Sequence, residues 1–175
     1  KPFINKFNHL TILHFDAHAD LRDSYQGEKF SHASAIKRCL DFKNVNVVSF
    51  GIRNLSKSEM NFYNNNRDRI KIFWGKDKNN YDRTEIEKIF RNKTVYITFD
   101  VDGFDASVMP ATGTPEPGGL FWEDVLPIIK KVCQVSNVVG ADINELAPIK
   151  NFNSYNFLVA KLAYKILSYT FEFKN

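Results

Sequence analysis

Asp16, His18 and Asp20 stand at i, i+2 and i+4 in Asp16-Ala17-His18-Ala19-Asp20, directly after the apolar run Leu10-Thr11-Ile12-Leu13-His14-Phe15. Extended backbone turns every second side chain to the same side, so two carboxylates and one imidazole aim at one point. Such a group repels itself, and burial would drive protons onto the carboxylates. A divalent cation removes both penalties, so the stretch reads as half of a metal site. An Asp/His-rich loop that is merely solvated is the plainer alternative for these five residues on their own.

A second cluster shifts the balance. The run Thr94-Val95-Tyr96-Ile97-Thr98-Phe99 leads into Asp100-Val101-Asp102-Gly103-Phe104-Asp105, where Asp100 and Asp102 repeat the period-two spacing. If the two strand ends are neighbours, Asp16, His18, Asp20, Asp100 and Asp102 converge. Four carboxylates around one centre call for two divalent ions, about 3.5–4 Å apart, sharing ligands. Oxygen-rich ligation with an imidazole favours manganese over a thiolate-seeking ion. Ion pairs of this kind lower the pKa of the water they bind, which gives metal-assisted hydrolysis as the reaction class.

Along the rest of the chain, short β-branched runs alternate with amphipathic segments. Strands are predicted over 10–16, 46–52, 70–74, 94–99 and 137–143, and helices over about 32–42, from Ser56 through Phe62, over 82–90 with Thr84 as cap, over 122–134, and from Asn153 or Ser154 onward. Strand–helix alternation predicts an α/β, three-layer fold: a mostly parallel sheet with helices on both faces. Open parallel sheets place functional groups at the carboxyl ends of their strands, and both acidic clusters sit there. A Gly/Pro-rich loop, 109–119, follows the second cluster.

Composition fits a single soluble globular domain spanning 1–175: 43% hydrophobic, 25% charged, and a net charge of +4 with the two signs interleaved. No block of like charge points to nucleic acid, and no run points to a membrane span or a signal peptide. Cys39 and Cys133 lie far apart in helical segments, so reduced thiols and a cytoplasmic location are expected.

Taken together, Asp16-Ala17-His18-Ala19-Asp20, then Thr98-Phe99-Asp100-Val101-Asp102-Gly103-Phe104-Asp105, then Met109-Pro110-Ala111-Thr112-Gly113-Thr114-Pro115 with Gly118-Gly119, resemble the ureohydrolases: arginase, agmatinase and guanidinobutyrase. The resemblance runs over nearly the whole chain and implies an arginase/deacetylase-like fold with two Mn2+ ions, splitting a guanidinium group into urea and an amine. By that analogy Asp16 and Asp100 bridge the ions, His18 and Asp102 complete one shell, and Asp20 serves the other. His32, in Ser31-His32-Ala33-Ser34, matches the loop histidine that shuttles a proton, and is expected with Asp20 to be catalytic. By the same resemblance His32 is also expected to line the substrate site. Glu145, in Asp142-Ile143-Asn144-Glu145, matches the acid that pairs with the guanidinium, whose forked donors suit a carboxylate. A homo-oligomer, trimer or hexamer, is expected on the same ground.

The family's remaining ligand, a His in a Gly-Gly-x-His motif before the first strand, has no match here. His9 and His14 lie beside or within that strand. With Lys1 in place of an initiator Met, the expectation is the C-terminal portion of a ureohydrolase domain, truncated on its N-terminal side and so open to being inactive alone; a metal-deficient, non-catalytic relative is the competing reading. Arg22, the stretch from Glu28 to Ser31, and Ser56 replace residues by which arginases hold the amino-acid end of arginine, and the wording of the 109–119 loop is closest to agmatinase. Agmatine is therefore the expected substrate, with putrescine and urea as products; guanidinobutyrate and arginine are the alternatives. Ala106 and Asn153 also depart from the family without removing a catalytic group. A single-zinc deacetylase shares the architecture but needs fewer carboxylates.

Overall fold

The computed structural model describes residues 2–174. Five strands form one sheet: β1 (Leu10–Phe15), β2 (Val45–Ile52), β3 (Ile70–Trp74), β4 (Thr94–Asp100) and β5 (Asn137–Asn144), in the order β3-β2-β1-β4-β5. Every pairing is parallel, with Phe15 opposite Phe50 on one side and Phe99 on the other. The chain order reverses between β1 and β4, so these two strands lie side by side despite nearly eighty residues between them. That is where an open parallel sheet leaves a crevice at its carboxyl edge.

Helices α1 (Pro2–Lys6), α2 (Ala35–Leu40) and α3 (Lys57–Asn64) pack on one face, through Ile4, Ile36, Leu40 and Tyr63. Helices α4 (Arg83–Phe90), α5 (Trp122–Val135) and α6 (Asn153–Glu172) cover the other, through Ile86, Phe90, Ile129, Val132, Leu162 and Ile166. Because both faces are covered, β1 is buried along its whole length. Alternation then sorts its side chains. Leu13 and Phe15 enter the core under α4–α6, with Phe15 stacked between Phe50 and Phe99 at ring distances of 5.5 and 4.9 Å. Leu10 and Ile12 enter the opposite core. Of the two cysteines, Cys39 is in α2 and Cys133 in α5, and both are free thiols.

The five strands fall where their β-branched runs predicted. Three helical details differ. The segment expected as one helix over 32–42 starts as a 3-10 turn, His32–Ser34, and is α-helical only over Ala35–Leu40. Asp82, not Thr84, caps α4: its carboxylate accepts from the Thr84 backbone N–H, and an acceptor placed before the first turn is what that turn lacks. Helix α1, a single short turn, carried no signal beyond Pro2 at its first position. Ser56 does cap α3, in a reciprocal box with Glu59.

Candidate metal centre

Strand β1 delivers Asp16 to the mouth of the crevice and β4 delivers Asp100. A 3-10 turn, Val101–Gly103, follows at once and swings Asp102 back under Asp16. The turn passes so close to β1 that a Cβ on Gly103 would lie 2.9 Å from the Asp16 nitrogen. Only glycine permits that approach. Backbone donors then fix the carboxylates: Ala17 N–H donates to Asp102 Oδ1 at 3.0 Å, His18 N–H to Asp16 Oδ1 at 2.6 Å, and Asp102 N–H to Asp100 Oδ1 at 2.9 Å.

Two groups of donors result. In one, atoms of Asp16, His18 and Asp102 lie within 4.8 Å of one another; in the other, atoms of Asp100, Asp102 and Glu145 do so. Asp102 belongs to both. It is also almost wholly buried, as is Asp16. His18 turns Nδ1 toward Asp102 Oδ2 at 3.0 Å and presents Nε2 to Glu116 Oε1 at 3.8 Å. Asp20 stands on the same wall with φ of 53°, and Glu145 enters from the end of β5 with φ of 63°. A left-handed backbone costs an acidic residue about 1 kcal/mol or more, and at both positions the side chain lines the cleft. The cleft has a volume of about 190 Å³ and is walled by the Asp16–Asp20 segment, Asp100, Arg22, His32, Thr114 and Glu145 among others. His32 meets the ring of Tyr25 edge-on at 5.3 Å.

Electrostatics show what this arrangement asks for. Burial, then the charges of Asp16 and Asp102, push the Asp100 carboxyl up to about 10. Burial, then Asp16, lifts Asp20 to about 8, and burial with the same neighbours raises Glu145. Burial alone would raise Asp16 too, but hydrogen bonds with His14 and His18 outweigh it and hold that carboxylate well below its ordinary range. His18 is pushed up to about 10, chiefly by its hydrogen bond to Asp102 and then by Asp16. Without a cation these acids share protons at neutral pH. The donor set of carboxylate oxygens with one imidazole fits hard or borderline divalent ions, which would displace those protons.

The structure therefore brings Asp16, His18, Asp100, Asp102 and Glu145 into donor distance, and places Asp20 and His32 on the walls of the same cleft. Sequence reasoning assigned no role to three further groups. His14, two residues before Asp16, donates from Nε2 to Asp16 Oδ2 at 2.9 Å; its period-two spacing was the available signal. Glu59 is buried beneath the cleft wall, accepting from Leu21 N–H at 3.1 Å with Arg22 Nε at 3.4 Å. Arg53 reaches across from the end of β2 and gives its N–H groups to the carbonyls of Gly51, Asp102, Phe104, Glu116 and Pro117.

The family model for the arginase family matches residues 2–168. The chain belongs to the arginase family. Among curated relatives, the N(1)-aminopropylagmatine ureohydrolase of Synechocystis is 36% identical over 162 residues, covering 91% of this chain and 52% of that protein. The agmatinase of Pyrococcus horikoshii is 38% identical over 154 residues, covering 87% of this chain and 53% of its own. Among solved structures, the agmatine ureohydrolase of Thermoplasma volcanium superposes with a TM-score of 0.77 at 31% identity, over 93% of this chain and 55% of that one. The chain thus spans about half the length of the curated arginase-family relatives it matches. The shared three-layer, parallel-sheet architecture is that of the arginase family, and within it the ends of β1 and β4 carry the donor clusters. No helix among the described residues is long and apolar enough to cross a membrane.

Proposed function

We propose that this chain is the catalytic portion of a manganese-dependent hydrolase acting on a guanidinium substrate, with agmatine as the substrate and putrescine and urea as products. The observation that carries the reading is Asp102, one buried carboxylate common to two donor clusters that face a single cleft. Asp16, His18, Asp20, Asp100 and Asp102 would hold the ions. When bound, two Mn2+ ions lower the pKa of water enough to make it a nucleophile at neutral pH.

The chain's own groups do the rest. Glu145 accepts hydrogen bonds from the guanidinium and holds its planar carbon over the cluster. Asp20 accepts a hydrogen bond from the attacking water and orients it. As the carbon–nitrogen bond breaks, the electron pair goes to the departing nitrogen, and His32, poised at the wall, supplies the proton that makes it an amine. Arg22 is drawn toward Glu59 and Tyr25, the latter at 5.1 Å, and so closes the rim beside His32. A homo-oligomer and a cytoplasmic setting go with this reading.

The names of the relatives support a second substrate of the same class, an agmatine extended by an aminopropyl arm. Urea release in the presence of Mn2+ from agmatine, N(1)-aminopropylagmatine, guanidinobutyrate and arginine separates the readings. Agmatine is expected to be turned over fastest. Arginine turning over fastest would refute the agmatine assignment, and a faster N(1)-aminopropylagmatine would move it to the longer amine.

A further inference from the structure

The faces of a covered parallel sheet are normally apolar, yet one row of this sheet is polar from β2 to β5. Ser49, His14, Thr98 and Asp142 are register partners in turn across β2, β1, β4 and β5. They share a face with Asp16 and Asp100, one step further along β1 and β4, because side chains two apart on a strand point the same way. The row therefore forms a tier directly beneath the acidic cluster. His14 and Ser49 are almost fully buried, and a buried polar pair in the centre of a sheet costs stability unless its members are satisfied.

Both are satisfied, and the chain of bonds has a direction. Ser49 Oγ lies 3.0 Å from His14 Nδ1, and His14 Nε2 lies 2.9 Å from Asp16 Oδ2. With the Nε2–H donated to the Asp16 carboxylate, Nδ1 accepts from the Ser49 hydroxyl when the ring is neutral and donates to its oxygen when the ring is charged. That occupies Oδ2 from below and leaves Oδ1, which His18 N–H fixes at 2.6 Å, as the oxygen nearer His18 Nδ1. At the other end of the row, Thr98 Oγ1 donates to Asp142 Oδ1 at 2.7 Å, and Asn144 Nδ2 to the same oxygen at 2.5 Å. That half makes no bond to the cluster and serves as a polar filler.

We propose that His14 is a positioning residue for the metal centre: held by Ser49, it locks the orientation of Asp16 and thereby sets the affinity of the cluster for its cations. The inference rests on the reading of this cluster as a Mn2+ site. Groups that hydrogen-bond a ligating carboxylate from outside contribute about 10–100-fold to metal affinity, because they remove the freedom that the ligand would lose on binding. Apolar packing could hold the His14 backbone equally well. It could not choose between the two oxygens of Asp16.

The test is direct Mn2+ titration of the purified, metal-stripped protein, read by the electron paramagnetic resonance of free Mn2+, with melting temperature recorded alongside. His14→Ala is expected to weaken Mn2+ binding at least about tenfold. His14→Gln, whose amide N–H donates to Asp16 from the same position, is expected to recover to within about threefold of the wild type. A purely structural role predicts lower melting temperatures with unchanged binding. Binding by folded His14→Ala within about twofold of the wild type overturns the inference, as does a His14→Gln protein as weak as the alanine variant. Should His14→Ala fail to fold, Ser49→Ala decides: a loss of about threefold or more supports the proposal, and an unchanged constant overturns it. A wild-type protein that takes up no Mn2+ overturns the metal reading and this inference with it, whereas wild-type binding with unaltered variants overturns this inference alone.

Discussion

Arg53→Ala is the perturbation with the widest reach. The guanidinium bonds five carbonyls on three segments: Gly51 at 3.0 Å on its own strand, Asp102 and Phe104 at 2.8 and 3.1 Å after β4, and Glu116 and Pro117 at 2.7 and 3.0 Å in the Gly/Pro-rich loop. Nε and Nη1 serve one carbonyl each, and the two protons of Nη2 are divided among three. Four N–H groups are therefore engaged. Hydrogen bonds from a charged donor are worth about 1.5 kcal/mol each at the low end, which suits a half-exposed side chain. Four such bonds sum to roughly 6 kcal/mol, and water reaching the freed carbonyls brings the net loss to about 3–5 kcal/mol. At about 2–4 °C per kcal/mol for a chain of this length, the melting temperature should fall by roughly 10–15 °C. Arg53→Lys should recover little of it, because one ammonium cannot span three segments. Thermal unfolding followed by circular dichroism, with urea denaturation as a second measure, tests this. A fall under about 3 °C for the alanine variant, or full recovery by lysine, would refute the account of Arg53 as the tie between the loops.

Two further outcomes are expected. Gly103→Ala should cost about 1–3 kcal/mol and be visible as a lower urea midpoint, because the new Cβ would sit 2.9 Å from the Asp16 nitrogen and both partners are backbone; an unchanged midpoint would show that the turn can retreat. In the ion-free protein Asp100 and Asp20 are raised from the ordinary 3.8 to about 10 and about 8, and His18 from 6.5 to about 10. These groups bind protons more tightly folded than unfolded, so stability falls as pH climbs from above the ordinary aspartate value toward 10. Asp16, shifted the other way, acts only in acid. The melting temperature without metal should therefore fall between about pH 6 and 9, while the gain on adding Mn2+ grows over the same interval as protons leave the ligands. A metal-free melting temperature that rises across that interval would contradict the crowding described for the cluster.

Period-two spacing paired Asp16 with His18, and Asp100 with Asp102, but the strands end at Phe15 and Asp100, so the bend after β1 and the 3-10 turn after β4, not extended backbone, bring His18 and Asp102 to the site. The adjacency of β1 and β4 followed from requiring the two acidic groups to meet. What spacing could not supply is anything decided by distant partners. Asp102 serves both clusters because a tight turn folds it back against the Ala17 N–H, a contact across 85 positions. Arg53 directly follows β2, yet four of its five carbonyl partners lie after β4 or in the Gly/Pro-rich loop, where the sequence has no periodic signal. Ser56 read as the cap of a helix, but Glu59, which closes the box with it, also uses an oxygen to support Leu21 under the cleft, a tertiary use that no local rule predicts. His14 was hidden by its strand, where an isolated imidazole among apolar residues resembles a packed core side chain.

The sheet's two flanks are defended unequally. At one margin, β3 carries Lys71 outward, its ammonium 2.6 Å from Glu85, and a charged lysine on an edge discourages strangers from adding a strand. At the other, β5 has a single charged side chain, Asp142, and its carboxylate is tied inward by Thr98 and Asn144. Beside it, α6 turns Phe157, Tyr164 and Phe171 to solvent at seven-residue intervals, with Leu167 between them. Among the described residues, unpaired backbone next to an apolar ridge makes the β5 flank the margin most open to pairing with a further strand, and the one where a charged side chain would do most to prevent it.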